Sequence, residues 1–210
     1  MLHLLSVPLI AVLLHAAPAE DGQLVEASAP VRRALPTVSI DALLDKPELR
    51  LGETERVMAH YHGEIEDWNP FLTRFHRADY NYLTFWADEQ PLWIKNEFDV
   101  PAAGFFVRRR TDLAAVLTTA KRHDRFALDV KVVAIHAGRP WIEIVDIERT
   151  EQQVPEGTVL HAIRALDMID REGWALAASE LERALRPNLP DHTRRELEIL
   201  LESCKEALGD

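Results

Sequence analysis

With 210 residues, the chain can form one medium domain or two small ones, and at 47% hydrophobic residues it can bury a core, which excludes wholesale disorder. Its net charge of −11 sits mostly at the ends, with −3 in residues 1–49, −2 in residues 50–150 and −6 in residues 151–210. Such acidity disfavours a nucleic acid partner, because affinity for a phosphate backbone comes largely from Lys and Arg displacing counterions.

The first nineteen residues carry no Lys, Arg, Asp or Glu. Leu4 to Leu14 is apolar apart from Ser6 and Pro8, and Ala17-Pro18-Ala19 supplies small residues at both positions that define a cleavage site. The pattern predicts a secretory signal peptide over residues 1–19, hence a periplasmic or secreted protein. The apolar run is shorter than the ~20 residues of a membrane helix, so no stable span is expected once it is removed. No Cys follows it, which argues against a lipid anchor. Cys204 is the lone cysteine, so no intramolecular disulfide can form.

Residues 20–49 read as a linker with one short helix: Ser39 caps Ile40 to Leu44, and Pro47 stops it. Arg56 to Glu66 alternates as a first strand and Asp67-Trp68-Asn69-Pro70 breaks it; Tyr80 to Ala87 is a second, with Leu83 and Phe85 on one face and Tyr82, Thr84 and Trp86 on the other. Pro91 to Val100 is a connection or a short extra strand. Phe105 to Arg109 is a third strand, and Thr111 opens a helix reaching His123. Two long strands follow, joined at Ala137-Gly138-Arg139-Pro140, where Gly allows a positive φ and Pro should block further ladder bonds. From Thr158 the period changes to about 3.6. Val159, Ile163, Leu166 and Ile169 form one stripe; Trp174, Ala177, Ala178, Leu181, Ala184 and Leu185 form a second. Asp191 caps a third helix, on which Leu197, Leu201, Cys204 and Leu208 share a face.

A helix between the third and fourth strands of a small all-β unit is the order of a five-stranded OB barrel. Residues 50–150, ending in PWIEIVDIER, resemble the OB-fold family of exported bacterial domains of unknown function. Residues 151–210 contain REGWALAASELERALRP, which resembles the helix-turn-helix of a tetratricopeptide repeat in its aromatic at the turn, its Ala and Leu spacing and its closing Pro. The early glycine of that pattern is replaced by Ala165. The expected class is therefore α+β: an OB-like barrel with an inserted helix, then a helical hairpin or three-helix segment. One such repeat cannot bury its own face and needs the barrel or another chain.

No residue pattern announces catalysis: there is no G-x-S-x-G, reactive cysteine or phosphate loop. His60 and His62 share a strand face with Glu64, a pattern that alternation alone produces, so they are expected to face solvent, and no metal or cofactor is expected. Asp88-Glu89 reads as a solvated strand end. Tyr82, Trp86, Arg108 and Arg110 are the candidate ligand-binding residues, since OB barrels stack ligands on aromatics of the second and third strands and meet anions with cations beside them. Lys121, Arg122 and Arg125 add charge at the helix end. The residues thus predict a non-enzymatic exported binding or scaffold protein whose partner is another protein. A single-stranded nucleic-acid binder and a carboxylate-based hydrolase are the alternatives.

Overall fold

Alternating apolar positions on five strands point into one shared core. The computed structural model describes residues 35–69, 71 and 74–209; the expected signal peptide lies outside them. In chain order the elements are β1 (Thr37–Val38), α1 (Ile40–Asp45), β2 (Thr54–Glu64), β3 (Tyr80–Ala87), α2 (Lys95–Phe98), β4 (Ala102–Arg108), α3 (Asp112–Thr118), β5 (Arg125–His136), β6 (Arg139–Arg149), α4 (Glu156–Ile169), α5 (Trp174–Ala184) and α6 (Asp191–Leu208). Strands β2, β3, β4, β6 and β5 pair in that order, and β5 returns to β2, closing a barrel. Only β4 and β6 run parallel within it. With α3 between the third and fourth barrel strands, this is the OB arrangement expected from the sequence.

Val57, Leu83, Phe85, Phe105, Leu128 and Ile142 are among the side chains that fill the barrel. Each such burial contributes about 1.5–3 kcal/mol. Gly104 lets β4 approach β6: its φ is +103°, and a Cβ there would lie 2.8 Å from the Pro140 carbonyl oxygen. At the other turn, Ala137 and Gly138 both have positive φ (49° and 74°), as a two-residue hairpin of the right twist requires. Pro140 does not end the ladder, because it lies within β6 opposite Ile135.

Several expectations are corrected. The segment read as a linker already belongs to the barrel unit by Thr37, where β1 pairs with β2, and Ile40 and Leu43 enter the barrel core, while Ser39 caps α1 as expected, its hydroxyl accepting the Ala42 N–H at 3.1 Å. Of the two readings of Pro91 to Val100, the connection holds and the extra strand does not, since the segment forms turns and the short helix α2. Helix α3 stops at Thr118, and the chain reaches β5 through a loop in which His123 takes φ +78°.

Helices α4, α5 and α6 pack as a three-helix segment around Ala162, Ala165, Ala177, Leu181, Ala184 and Leu197. The buried face of α4 is one position away from the expected stripe. Thr158, Val159, Ala162 and Ala165 are inside, while Ile163 is 44% exposed. Facing alanines on α4 and α5 allow close approach of the two backbones, and a helix turns about 100° per residue, so Ile163 is carried off the seam. Leu208 is likewise exposed, Trp174 is only half-buried, and Pro190 rather than Asp191 occupies the capping position of α6. Among the described residues no helix is long and apolar enough to cross a membrane.

Barrel and helices belong to one compact unit. Trp93, from the turn after β3, inserts into the helical core, and Trp86 and Leu92 pack with Val154 and Val159.

Candidate functional site

The four residues picked from the sequence do not converge. Tyr82 lies on the outer barrel face in an aromatic cluster, its ring stacked on Phe106 with centroids 4.7 Å apart and covered edge-on by Trp68. Burial pushes its hydroxyl above the ordinary tyrosine value, partly offset by the Gly104 backbone contact. Arg108 is exposed on the same face, 5.3 Å over the Tyr80 ring, and donates to the Tyr80 hydroxyl at 2.9 Å. Arg110 sits in the turn beyond β4 with φ 60°. Trp86 points away from that cluster toward the helices and is fully buried, so neither ring face is free for a ligand.

Around Trp86 the structure assembles groups that are far apart in sequence. The indole N–H donates to the Phe98 carbonyl at 2.9 Å, His123 stacks on the ring at 5.1 Å, and His62 meets it edge-on at 4.7 Å. His60 is therefore not solvent-facing, and His62 is so only in part. His62 is half-buried, with its Nδ1 2.8 Å from the Thr84 hydroxyl, and that hydroxyl donates to the Gly63 carbonyl. His60 is fully buried, with Nε2 3.3 Å from Asp88. The strand register explains this: His60 pairs with Trp86 on β3 and with Arg125 on β5, so closure of the barrel covers it on both sides.

Asp88 is the second correction, being buried rather than solvated. Its carboxylate accepts from both Nε and Nη2 of Arg125, at 2.5 and 2.8 Å, and His192 at the start of α6 approaches to 3.8 Å. Burial would raise its pKa, but the Arg125 guanidinium and His60 outweigh that and hold the carboxyl well below the usual range. The Arg125 backbone N–H donates to Gln153 at 2.7 Å, and the Gln153 N–H donates to the Asn188 carbonyl at 3.0 Å. This network clamps the helical segment to the barrel. Among the described residues no three His, Cys, Asp or Glu side chains are placed to hold a metal ion.

Outside the clamp a cleft of about 490 Å³ opens between α2, the loop before β5 and α4. Trp93, Phe98, Val159, Leu160 and Ile163 make it apolar, and Arg122 and His123 edge it. Burial, with Arg122 beside it, pulls the His123 pKa down to about 4, so its ring is neutral near pH 7. Arg122 lies 5.0 Å over both the Trp86 and Phe98 rings. Of these, only the Arg122 region is marked in the sequence, by the Lys121-Arg122 pair. The available signal for the rest was the width of the apolar arc on α4: Leu160 and Ile163 add to Val159 and Ala162 more apolar surface than one seam uses.

No protein-family model and no curated protein matches the chain. Among solved structures, a protein assigned as an aspartyl-tRNA synthetase of Leishmania major Friedlin matches with 8% identity and a TM-score of 0.37, over 81% of this chain and 34% of that one. The chain thus spans about a third of the length of that structure, and a likeness at this level carries no functional argument.

Proposed function

We propose that this chain is a non-enzymatic, exported binding or scaffold protein that holds a protein partner at the junction of α4 and the barrel edge. The observation that carries this reading is the open apolar cleft, with Leu160 and Ile163 left 46% and 44% exposed on a helix whose opposite face is already packed. Apolar side chains grouped at a concave site are the usual mark of a binding surface. The likeness of α4 and α5 to one tetratricopeptide hairpin agrees with it, since such hairpins present a helix face to a partner. Export rests on residues 1–19 alone and places the protein in a periplasm or outside the cell.

The test is recovery of partners from envelope extract on the purified protein, in parallel with Ile163→Glu and with Ile199→Glu on the exposed face of α6. Loss of a specific partner with the first variant only is expected. Equal recovery by all three proteins would overturn the reading.

Arg108 over Tyr80 favours one second reading, single-strand nucleic-acid binding on the outer barrel face. The overall charge of −11 opposes it, and retention of labelled single-stranded DNA on a filter at moderate salt, lost in Arg108→Ala, would establish it. A carboxylate hydrolase has less support, since the buried Asp88 is already saturated by Arg125.

A further inference from the structure

We infer that the occupant of the barrel–helix cleft is an acidic, apolar peptide segment: a large apolar side chain seated against Phe98, Val159 and Ile163, followed by an Asp or Glu carboxylate that meets Lys121 and Arg122. This rests on the docking reading above and names the chemistry of the partner.

The apolar half is set by the cleft walls, and its 490 Å³ lies within the ordinary range for a ligand pocket, about 300–1,000 Å³. The cationic half is set by the ledger of charges around it. Lys95 is paired with Asp99 at 2.8 Å, and Asp124 is paired with Arg149 at 3.0 Å. Among the described residues, Arg122 has aromatic rings beneath it and no carboxylate partner, and the Lys121 ammonium has none either. Glu156 is the acid left at this corner, so two cations face one anion. The Arg122 guanidinium carbon lies 5.0 Å from the centroids of both the Trp86 and Phe98 rings, so the rings anchor the group and its N–H groups turned away from them can donate outward. That presentation suits a bidentate carboxylate.

His123 shapes the same corner. Its ring is buried and stacked on Trp86, its Nδ1 has no hydrogen-bond partner, and its backbone takes φ +78°, a costly conformation for a residue with a side chain. A neutral imidazole there adds no competing charge to Arg122.

The experiment is selection of random peptides displayed on phage against the immobilised full chain, followed by fluorescence anisotropy of a synthetic copy of the enriched sequence. Enrichment of a large apolar residue flanked by Asp or Glu is expected. Binding of that peptide should weaken about tenfold in Arg122→Gln and in Lys121→Gln, weaken with added salt, and be lost in Ile163→Glu. Lys121 and Ile163 are surface residues whose side chains support no core contact, so these variants stay folded even if Arg122→Gln does not. Enriched apolar peptides without acids, indifferent to Lys121, would overturn the acidic chemistry and leave the docking reading intact. Basic peptides would overturn it too. No enrichment of any sequence would remove both.

Discussion

At the residue scale, two buried titratable groups make the protein sensitive to acid in separate windows. His123 has its folded pKa lowered to about 4 from about 6.5. The unfolded chain therefore takes up this proton first, and stability falls as pH drops from about 6.5 to about 4, below which the loss is complete. His123→Asn, which tolerates the left-handed backbone, should flatten that part of a denaturant-midpoint profile; an unchanged slope would show the ring to be accessible to protons in the fold. Asp88 is also depressed, because Arg125 and His60 overcome burial. Its stabilising contribution is present above the unfolded carboxylate pKa near 4 and is lost as pH falls further. Asp88→Asn leaves the buried Arg125 unpaired and should cost about 3–5 kcal/mol at neutral pH, read by urea unfolding. These two residues also show where sequence reading stops. Asp88 beside Glu89 looks like a wet strand end, and its partner Arg125 is 37 positions away, brought to it only when β5 closes on β2.

Among the elements, strand order was the most legible. The two-residue turn at Ala137-Gly138 and the helix after Thr111 were marked by local chemistry, and together they specify an OB order. Gly104 is the closing joint of that order, and nothing local announces it, since a glycine before FFV reads as an ordinary strand start. Gly104→Ala should destabilise by more than about 1 kcal/mol, because its positive φ disfavours a side chain and the new methyl would meet the Pro140 carbonyl. A thermal midpoint equal to that of the unsubstituted protein would contradict the close β4–β6 approach. The helices were readable in existence and less so in orientation. Periodicity located α4, but choosing between the stripe of Ile163 and that of Ala162 depended on which one the alanines of α5 would meet. Trp174, on the stripe expected to face inward, packs on the helical core but is only half-buried, so Trp174→Ala should cost about 2 kcal/mol, less than the ~3–5 of a core aromatic.

For the whole molecule, the structure joins what the sequence divided at residue 150. Trp93 enters the helical core, Asp88 reaches Arg125 and approaches His192, and Gln153 ties the connecting segment to both sides. Barrel and helices should therefore melt in one calorimetric transition, with equal van't Hoff and calorimetric enthalpies; two resolved transitions would show the clamp to be weak. The candidate ligand residues were legible as residue types and not as a site. Tyr82 and Trp86 share a strand but point into different clusters, and the cleft takes its lining from α2, the loop before β5 and α4. No local spacing records such a meeting.

Photo-crosslinking inside the cell asks whether this chain holds another protein at the barrel–helix cleft, as proposed. A photo-crosslinking amino acid placed at position 163 samples the cleft, and one at position 199 samples the exposed face of α6. A discrete protein adduct at 163, with none of that mass at 199, is the predicted result. No adduct at 163, or the same adducts from both positions, would contradict it.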